Sequence, residues 1–441
     1  MTSLKINPVV QLNGEINASP SKSYSHRAFI AASVADGISI IKNPLTVGDV
    51  KVTINILRKL GIKVLKETET SYIIQREREG YISCKEILNC GNSGTSLRIF
   101  AALSLLIKGG CSFKGEFIKR KRPIVPLLEA LKNLGADYTL SDELLHIERI
   151  NSRCQDIKIR GDISSQFITA LLITCPLLKC DKKDGVKIKI ISPIVSYPYL
   201  KITLEILKKF GINILDNVKE EKGGTYHIRL GQKFRPCIFE IPGDFSSAAF
   251  LIAATCLTPN NSKTIIKNLD IGNPQGDKKI INILENMGAK IRVNQNDSTV
   301  IISGNITKFP LKGLEVDCKD IPDLFPILCV VGTFAKGKTI LFNISSLRSK
   351  ESDRVSTMIR ELTKRGAKIE EENNKVVIYE SELNGAKIAH EQDHRIAMAC
   401  TIASLFSKDS SEIDDIEVFN DSYPNFILDL EKLGVKFESV G

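Results

Sequence analysis

The 441-residue sequence contains no tryptophan, and its tyrosine and phenylalanine residues are dispersed. Proteins that bind single-stranded nucleic acid stack bases on clustered aromatic side chains, so this pattern argues against such a function. No apolar run approaches the length of a membrane span. The N-terminal segment MTSLKINPVVQLNGEI has neither the apolar core of a signal peptide nor the arginine-rich pattern of a transit peptide. We therefore expect a soluble protein without a nucleic-acid or membrane partner.

Clustered cysteines are also missing. The eleven cysteines are scattered, odd in number and form no CxxC motif, which is typical of a reducing compartment. Hydrophobic residues make up 43% of the chain, enough for substantial buried cores. These features predict a globular cytoplasmic protein.

The formal net charge is +10, but most lysines and arginines alternate with acidic residues, as on solvated helix faces. The exception is the run Lys119 to Arg122, KRKR, which precedes Pro123. Pro123 suits the first turn of a helix that runs to Gly135. The four cations could bind a phosphorylated small molecule, or they could form an exposed loop.

An eight-residue pattern occurs six times in the chain. It consists of a leucine, three variable residues, a glycine, an apolar residue, a variable residue and a further apolar or aromatic residue. Its glycines are Gly61, Gly135, Gly211, Gly288, Gly366 and Gly434. Glycine after an amphipathic run ends a helix, and the alternating apolar residues then begin a strand. The spacing of roughly 75 residues suits a compact unit of strands and helices, three of which form a domain of common size.

Upstream of each glycine, a polar cluster begins an apolar segment rich in small residues. The clusters are SKSYSHR at Ser21, GNSGTS at Gly91, GDISSQ at Gly161, GDFSS at Gly243, KDIPD at Lys319 and EQDHR at Glu391. Ser, Asp and Asn at these places are common helix caps. The starts of helices also favour anions, because their amide groups are free and the helix dipole is positive there.

Two well-known motifs occur in the wrong structural context. GTFAKGKT at Gly332–Thr339 matches the phosphate-binding loop, but a helix is predicted before it and a strand after it, the reverse of the required order. HEQDH at His390–His394 matches a zinc-protease signature, but Asp393 is predicted to cap the helix, which leaves His390 outside it. We predict neither a nucleotide loop nor a metal site.

The remaining motifs together resemble the enolpyruvyl transferase family, and within it the members that use shikimate 3-phosphate. The matching elements, in chain order, are SKSYSHR at Ser21–Arg27, GNSGTSLR at Gly91–Arg98, KRP at Lys121–Pro123, SSQF at Ser164–Phe167, SYPY at Ser196–Tyr199, IPD at Ile321–Asp323, RSKESDR at Arg348–Arg354 and DHR at Asp393–Arg395. The resemblance covers nearly the whole chain.

The resemblance implies an α/β fold of two similar domains, each an inside-out α/β barrel of three strand-helix repeats. Residues 20–240 would form the N-terminal domain, and residues 1–19 with 241–441 the C-terminal domain. Ligands would bind between domains that close over them. The implied reaction joins shikimate 3-phosphate to phosphoenolpyruvate and releases inorganic phosphate, without a metal or cofactor. We expect a monomer.

The resemblance also assigns the residues that bind the two substrates, both strongly anionic. Arginine suits such ligands, because its planar guanidinium donates two parallel hydrogen bonds. The assignments for shikimate 3-phosphate are Lys22, Ser23, Arg27, Ser164, Ser165, Gln166, Ser196, Asp323, Ser346 and Lys350. Those for phosphoenolpyruvate are Lys22, Gly94, Arg122, Gln166, Arg354 and Arg395.

The reaction needs a base for the attacking hydroxyl and an acid that protonates the methylene carbon. By resemblance, Asp323 is the base, and Glu351, assisted by Lys22, is the acid. The structural alternatives are a helix cap at Asp323 and an ion pair at Glu351.

Two positions depart from the family pattern. Asp421 stands where many members have a lysine that contacts phosphoenolpyruvate, and Ser346 stands where an asparagine often contacts the shikimate. Three explanations of Asp421 are open: the alignment slips locally, another cation replaces the missing lysine, or phosphoenolpyruvate binds more weakly.

Two other functions remain open at this point. A sister enzyme of the family uses UDP-N-acetylglucosamine, but it usually carries a reactive cysteine in the loop that corresponds to Ser112–Arg122, and this segment has none. A basic RNA-binding protein of similar repeated architecture is the alternative from another class.

Overall fold

Six α-helices end at the repeated glycines, as the sequence predicts. The computed structural model describes residues 3–76, 80–180, 182 and 184–440. Positive φ angles between +82° and +112° occur at all six: Gly61, Gly135, Gly211, Gly288, Gly366 and Gly434. This left-handed conformation ends a helix, and glycine adopts it without steric cost. A strand begins within three residues of each glycine.

The described residues form thirteen α-helices and 24 β-strands. The helices are α1 Lys22–Val34, α2 Gly48–Lys59, α3 Gly94–Leu103, α4 Glu116–Lys119, α5 Val125–Lys132, α6 Ser165–Thr174, α7 Tyr197–Lys209, α8 Phe245–Leu257, α9 Lys279–Met287, α10 Phe325–Phe334, α11 Arg354–Thr363, α12 His394–Leu405 and α13 Phe426–Lys432. The strands are β1 Ser3–Ile6, β2 Asn13–Asn17, β3 Ile38–Lys42, β4 Ile62–Lys66, β5 Ser71–Arg76, β6 Ile87–Asn89, β7 Cys111–Lys114, β8 Ala136–Leu140, β9 Leu145–Arg149, β10 Ile157–Ile159, β11 Val186–Ile190, β12 Ile214–Lys219, β13 Gly223–Ile228, β14 Ile238–Glu240, β15 Ser262–Lys267, β16 Lys290–Asn294, β17 Thr299–Gly304, β18 Glu315–Asp317, β19 Lys338–Phe342, β20 Ile369–Glu372, β21 Lys375–Tyr379, β22 Lys387–Ile388, β23 Ser411–Ile413 and β24 Phe437–Val440.

These strands pair into six four-stranded sheets of one repeated topology. The strand orders are β14-β3-β5-β4, β6-β7-β9-β8, β10-β11-β13-β12, β2-β15-β17-β16, β18-β19-β21-β20 and β22-β23-β1-β24. The first pair in each order is parallel and the other two are antiparallel. The predicted α/β class and the sixfold repeat are therefore confirmed.

The chain divides into two compact units: the N unit, residues 20–241, and the C unit, residues 1–19 with 242–441. At each passage of the chain from one unit to the other, the last strand before the passage pairs within the unit that the chain leaves. Strand β2, which precedes α1, pairs with β15 of the C unit, and β14, which precedes α8, pairs with β3 of the N unit. The sequence-based prediction placed the divisions after residues 19 and 240.

Each unit is built around three helices rich in small apolar residues: α1, α3 and α6 in the N unit, and α8, α10 and α12 in the C unit. All thirteen residues of α8 are buried. A helix that is apolar on every side is expected to lie inside a core. The other long helices, such as α2 and α9, bury a single face. The polar clusters of the sequence therefore sit at the N-terminal ends of the most buried helices.

The two rejected motifs have the predicted contexts. Gly332 lies inside α10, and the motif continues through a turn into β19, so no phosphate-binding loop forms there. The helix α12 begins at His394 with Asp393 as its cap, which leaves His390 outside. The prediction for Pro123 was wrong: α5 begins at Val125, so the proline in its first turn is Pro126.

Cysteine pairing was not predicted from the sequence. Cys154 and Cys180 form a disulfide with Cα atoms 6.0 Å apart, and the other nine cysteines are free. Within the described ranges, no helix is both long and apolar enough to span a bilayer.

The helix-ending glycines give a matched stability test in one unit. Gly135 and Gly211 have nearly the same φ, +85° and +82°. An added Cβ would lie 2.3 Å from the Asn151 carbonyl oxygen at Gly135, but 3.1 Å from the flexible Arg235 side chain at Gly211. We expect Gly211→Ala to cost ~1–2 kcal/mol for the left-handed backbone, and Gly135→Ala to cost ~1–3 kcal/mol more for the clash. Urea unfolding followed by circular dichroism measures both, and equal losses would contradict the clash argument.

Candidate active site

In the N unit, side-chain hydrogen bonds join four helices, α1, α3, α6 and α7. The Gln166 side chain, at the start of α6, accepts from Arg98 Nη1 at 2.5 Å and donates to Thr95 Oγ1 at 3.1 Å, both on α3. Arg27 of α1 donates through Nε to Thr203 Oγ1 of α7 at 2.8 Å, and through Nη2 to Thr169 Oγ1 of α6 at 3.4 Å. The predicted residues on these helices are thus brought together.

Arg27 is a buried guanidinium with only neutral partners. Besides the two threonines it donates to the Ser23 carbonyl oxygen at 2.9 Å, and no carboxylate of the described residues pairs with it. Burial lowers the pKa of Arg27 to about 10, so the group is charged at neutral pH. A buried charge without a counterion is a strong site for an anionic ligand, because burial of an unpaired ion is costly.

The predicted serines divide into caps and available hydroxyls. Ser164 caps α6, since its Oγ accepts from the Gln166 amide at 3.3 Å. Ser165, the first residue of α6, is buried. Ser196 precedes α7 in a left-handed conformation, with φ +57°, and its buried hydroxyl has no partner among the described residues. Ser196 therefore has a hydroxyl to offer a ligand.

Gly94, at the start of α3, and Arg122 both lie beside the Phe117 ring. A Cβ on Gly94 would lie 3.0 Å from the Phe117 ring, 3.2 Å from Arg98 Nη1 and 3.3 Å from Gln166 Oε1, so a side chain would press on all three. The Arg122 guanidinium stacks on the same Phe117 ring, 4.8 Å from its centroid. It also donates to the Asn92 carbonyl oxygen at 2.8 Å. Of the four consecutive cations, Arg122 is buried, whereas Lys121 is exposed.

Lys22 begins α1 and forms an ion pair with Asp49, with Nζ 3.2 Å from Oδ2. Both side chains are largely buried, at 14% and 15% exposure. Asp49 was not predicted, and nothing in the motifs pointed to it. This pair fixes the lysine at the helix start.

In the C unit, the fully buried Arg354 binds three carboxylates. Its Nε lies 2.9 Å from Asp393 Oδ2, its Nη1 2.7 Å from Asp323 Oδ1 and its Nη2 3.0 Å from Glu351 Oε2. Burial lowers the pKa of Arg354, but the charges of Asp393, Asp323 and Glu351 outweigh it and hold the pKa well above the usual value. All three nitrogen atoms are thus engaged by protein carboxylates. Glu351 thus forms an ion pair, as the structural alternative to its role as the acid predicts.

Asp323 precedes α10 but does not cap it, since the helix begins at Phe325. Its carboxylate instead faces two buried arginines: Arg354 at 2.7 Å and Arg395 at 3.5 Å. Burial would raise the pKa of Asp323, but the charges of Arg395, Arg354 and Lys350 hold it far below the usual value. Asp323 is therefore ionised.

Arg395, near the start of α12, is only partly engaged. Its Nε and Nη1 atoms are buried and have no hydrogen-bond partner in the described part of the chain, while its guanidinium lies 5.9 Å from the centroid of the Phe250 ring. These donors are available for further hydrogen bonds. The buried hydroxyl of Ser346 likewise has no described partner. Asp421, at the departing position, lies beside His394, with Oδ2 3.9 Å from Nδ1.

Asp393 is a further residue that the sequence-based assignment missed, although it stands inside the DHR motif. It is fully buried, caps α12 by accepting from the Arg395 amide at 2.9 Å, and also accepts from Ser352 Oγ at 3.1 Å. Its role is to fix Arg354 and the start of α12. Arg98, within GNSGTSLR, was missed in the same way and fixes Gln166.

The arrangement can bind small anions and move protons. Each unit has buried arginines at the starts of its central helices, and the C unit adds an ionised carboxylate beside them. Among the described residues, no group of three His, Cys, Asp or Glu side chains is arranged to hold a metal ion. The fold and the two clusters define a repeated α/β protein suited to strongly anionic small molecules.

Comparisons with known proteins identify the family. The family model for EPSP synthase (3-phosphoshikimate 1-carboxyvinyltransferase) matches residues 6–430. The chain therefore belongs to the EPSP synthase family, a family of transferases. The chain is 40% identical to the 3-phosphoshikimate 1-carboxyvinyltransferase of Methanococcus vannielii, with 98% of each chain covered. It is 41% identical to that of Methanocaldococcus jannaschii, with 97% of each covered. A solved structure of EPSP synthase from Acinetobacter baumannii has the same fold, with a TM-score of 0.80 at 23% identity and complete coverage of both chains.

The ion pairs of Arg354 generate a stability prediction. Asp393→Asn keeps a helix cap but removes a charge from a buried pair, so we expect a loss of ~3–5 kcal/mol. Asp353→Asn is the control, because Asp353 caps α11 by accepting from the Ser356 amide but is half exposed and pairs with the exposed Arg348. We expect ~0–1 kcal/mol for that change. Urea unfolding of both variants compares the two, and a similar loss in each would contradict the account.

Proposed function

We propose that the chain transfers the enolpyruvyl group of phosphoenolpyruvate to the 5-hydroxyl of shikimate 3-phosphate, a step of the shikimate pathway to chorismate and the aromatic amino acids. The hydroxyl oxygen bonds to C2 of phosphoenolpyruvate while C3 gains a proton, which gives a tetrahedral intermediate. Loss of a proton from C3 and of phosphate from C2 then forms 5-enolpyruvylshikimate 3-phosphate. Family membership and the many motif matches support this proposal.

The observation that carries the proposal is the state of two buried arginines. Arg27 makes only neutral hydrogen bonds, and Arg395 keeps two buried nitrogen atoms without a described partner. Two separate anionic groups can satisfy these cations, as the phosphate of one substrate and the carboxylate or phosphate of the other would do.

We assign the shikimate 3-phosphate to the N-unit cluster around Arg27. Its phosphate accepts from the guanidinium and from serine hydroxyls, of which Ser196 has an unused donor. The ring and its hydroxyls are assigned to Gln166 and Lys22, and to groups of the C unit. The complete set is Lys22, Ser23, Arg27, Ser164, Ser165, Gln166, Ser196, Asp323, Ser346 and Lys350.

Phosphoenolpyruvate is assigned to Lys22, Gln166, Arg122, Arg395, Arg354 and the amide at Gly94. Arg395 has open donors, whereas Arg354 has none, so a contact with Arg354 requires that one of its carboxylates gives way. Gly94 leaves room for a ligand beside the amides at the start of α3. We propose that these cations bind the substrate without a contribution from Asp421.

Asp323 is proposed as the base and Glu351, assisted by Lys22, as the acid. An aspartate held strongly ionised is a poor proton acceptor, because a base works best when its pKa lies near the working pH. Bound phosphoenolpyruvate would weaken the attraction between Asp323 and its two arginines, since its negative charges compete for Arg395 and Arg354. Substrate binding would therefore raise the pKa of Asp323 when the base is needed.

The acceptor is tested by the release of inorganic phosphate from phosphoenolpyruvate in the presence of a chelator. The proposal expects release with shikimate 3-phosphate and none with UDP-N-acetylglucosamine. Release with the sugar nucleotide alone would establish the sister activity, and tight salt-sensitive RNA binding without release would favour the non-enzyme alternative. We further propose that the chain works as a cytoplasmic monomer, which size-exclusion chromatography with light scattering tests.

The base assignment predicts the effect of one substitution. Asp323→Asn keeps the shape of the side chain but removes the proton acceptor, so we expect kcat to fall ~100- to 10,000-fold. The control is Asp317→Asn, at the exposed end of β18, where the carboxylate only accepts from the Lys319 amide and the Asn343 side chain. Steady-state phosphate release measures both, with thermal unfolding to verify that each variant folds. Near-normal turnover in Asp323→Asn would exclude Asp323 as the base.

A further inference from the structure

His26 is a buried histidine without an assigned role, although it stands inside the SKSYSHR motif between Lys22 and Arg27. It lies on α1 and is 1% exposed. Burial, and then the charges of Lys22 and Arg27, hold the pKa of His26 well below its usual value, so the imidazole is neutral. Its Nε2 atom is buried and has no hydrogen-bond partner among the residues that the structure describes. The other ring nitrogen, Nδ1, makes a contact that leads to a second helix.

A chain of buried hydrogen bonds connects His26 to the start of α3. His26 Nδ1 lies 2.8 Å from Thr53 Oγ1 on α2. Thr53 Oγ1 lies 2.9 Å from Ser96 Oγ on α3, and Ser96 Oγ lies 2.9 Å from Ser93 Oγ. Ser93 caps α3, since its Oγ accepts from the Ser96 amide at 3.3 Å. The three hydroxyl-bearing residues are fully buried, so the chain links α1, α2 and α3 away from solvent.

The supply of protons gives this chain a direction. Each hydroxyl has one proton to donate, and the hydroxyls of Ser93, Ser96 and Thr53 share three contacts. All three protons are used when Ser93 donates to Ser96, Ser96 to Thr53 and Thr53 to Nδ1. The opposite order leaves the Ser93 proton outside the chain, and Nε2 has no described partner in either order. We infer that His26 is the final acceptor, and hydrogen bonds in such a chain strengthen one another.

The contact between His26 and Thr53 lies one helical turn from the ion pair of Lys22 with Asp49. Lys22 and His26 are four residues apart on α1, and Asp49 and Thr53 are four residues apart on α2. Residues at this spacing lie on one face of a helix. One face of α2 therefore holds Lys22 through Asp49 and reaches α3 through Thr53.

We propose that the contact of His26 with Thr53 positions the start of α1, which carries Lys22, against the start of α3. The two residues would thus be positioning residues for phosphoenolpyruvate, to which Lys22 and the Gly94 amide are both assigned. This inference rests on the proposed function, which makes those assignments. Arg27 is held by separate hydrogen bonds to α6 and α7, so the subsite for the shikimate phosphate does not depend on the chain.

Thr53→Val tests the proposal, because valine keeps the shape of the side chain but removes the hydroxyl that joins the helices. We expect kcat/KM for phosphoenolpyruvate to fall ~10- to 100-fold, since small displacements of reacting groups are costly. The KM for shikimate 3-phosphate should stay close to that of wild type, and Thr53→Ser, which keeps the hydroxyl, should restore kcat/KM. Steady-state phosphate release measures these values, and near-normal kinetics in folded Thr53→Val would overturn the inference. If Thr53→Val does not fold, Ser96→Ala breaks the chain at the next hydroxyl and takes its place.

The matched control is Thr264→Val in the C unit. Thr264 is also fully buried, and its Oγ1 accepts from Thr255 Oγ1 at 2.8 Å. Both changes remove a buried hydroxyl, but Thr264 has no part in the proposed site. We expect Thr264→Val to lose as much stability in thermal unfolding as Thr53→Val and to keep the kinetics of wild type. An equal fall in kcat/KM in the two variants would contradict a positioning role, because lost stability alone would then explain it.

Substitutions of His26 separate positioning from proton transfer. Asparagine places a polar atom near the position of Nδ1 but does not act as an acid or base, so His26→Asn should keep most of the activity. His26→Leu should resemble Thr53→Val. The double variant, His26→Leu with Thr53→Val, should be no worse than either single variant, because both break one contact. Losses that add up in the double variant would overturn the inference, as would a folded His26→Asn no more active than His26→Leu.

Hydrogen exchange tests the same contact without turnover. The Ser96 and Leu97 amides donate to the Oγ and carbonyl oxygen of Ser93, so a loosened start of α3 should exchange them faster. We expect faster exchange there in Thr53→Val than in wild type or Thr264→Val, and unchanged exchange would refute the positioning role. Wild type that releases no phosphate with shikimate 3-phosphate would instead refute the proposed function, so the two failures are distinguishable.

Discussion

Charge balance around buried guanidinium groups is the constraint on which the candidate site depends. Arg354 is fully buried, and the carboxylates of Asp323, Glu351 and Asp393 surround it. Removal of one partner from such a group is costly, because the remaining charge stays buried and unpaired. The positions of the proposed base and the proposed acid thus follow from a single arginine. The same arginine ties the start of α12 to the segment before α10.

Two other buried arginines, Arg27 and Arg395, have a different proposed role. Arg27 has neutral partners and Arg395 has unused donors, so neither is fully balanced by the protein. We propose that an incoming anion supplies the missing charge, since both arginines lie on helices whose N-terminal ends also favour anions. We therefore propose that Arg27 and Arg395 bind the substrate anions directly, whereas Arg354 contacts phosphoenolpyruvate only when one of its carboxylates gives way.

Local signals explain how much of the fold could be predicted from the sequence. A glycine such as Gly135 reports a left-handed helix end through its own residue type, and six equal signals reveal the repeat. The central helices were recognised by their polar starts and small apolar residues, as at Gly94. Pro123 was placed wrongly because Pro126 lies one turn further along, and sequence alone does not say which proline enters the helix. The family resemblance, rather than spacing, supplied the roles of the site residues.

The rest of the site depends on contacts between residues distant in sequence. No local pattern indicates that Arg354 meets Asp393, or that Lys22 meets Asp49. The resemblance assigned Arg354 and Arg395 alike to phosphoenolpyruvate, and only the hydrogen bonds separate them. The charge of Asp323 likewise depends on the arginines around it, and residue type alone does not show that this aspartate is held ionised.

The most direct test is calorimetric titration of phosphoenolpyruvate, without shikimate 3-phosphate so that no turnover occurs, into wild type, Arg395→Gln and Arg354→Gln. The account predicts that Arg395→Gln weakens binding of phosphoenolpyruvate at least ~10-fold, the value of a charge-assisted hydrogen bond, with little loss of stability. Arg354→Gln should lose stability first, because three carboxylates lose their partner. Unchanged affinity in a folded Arg395→Gln variant would contradict the division of roles between the two arginines.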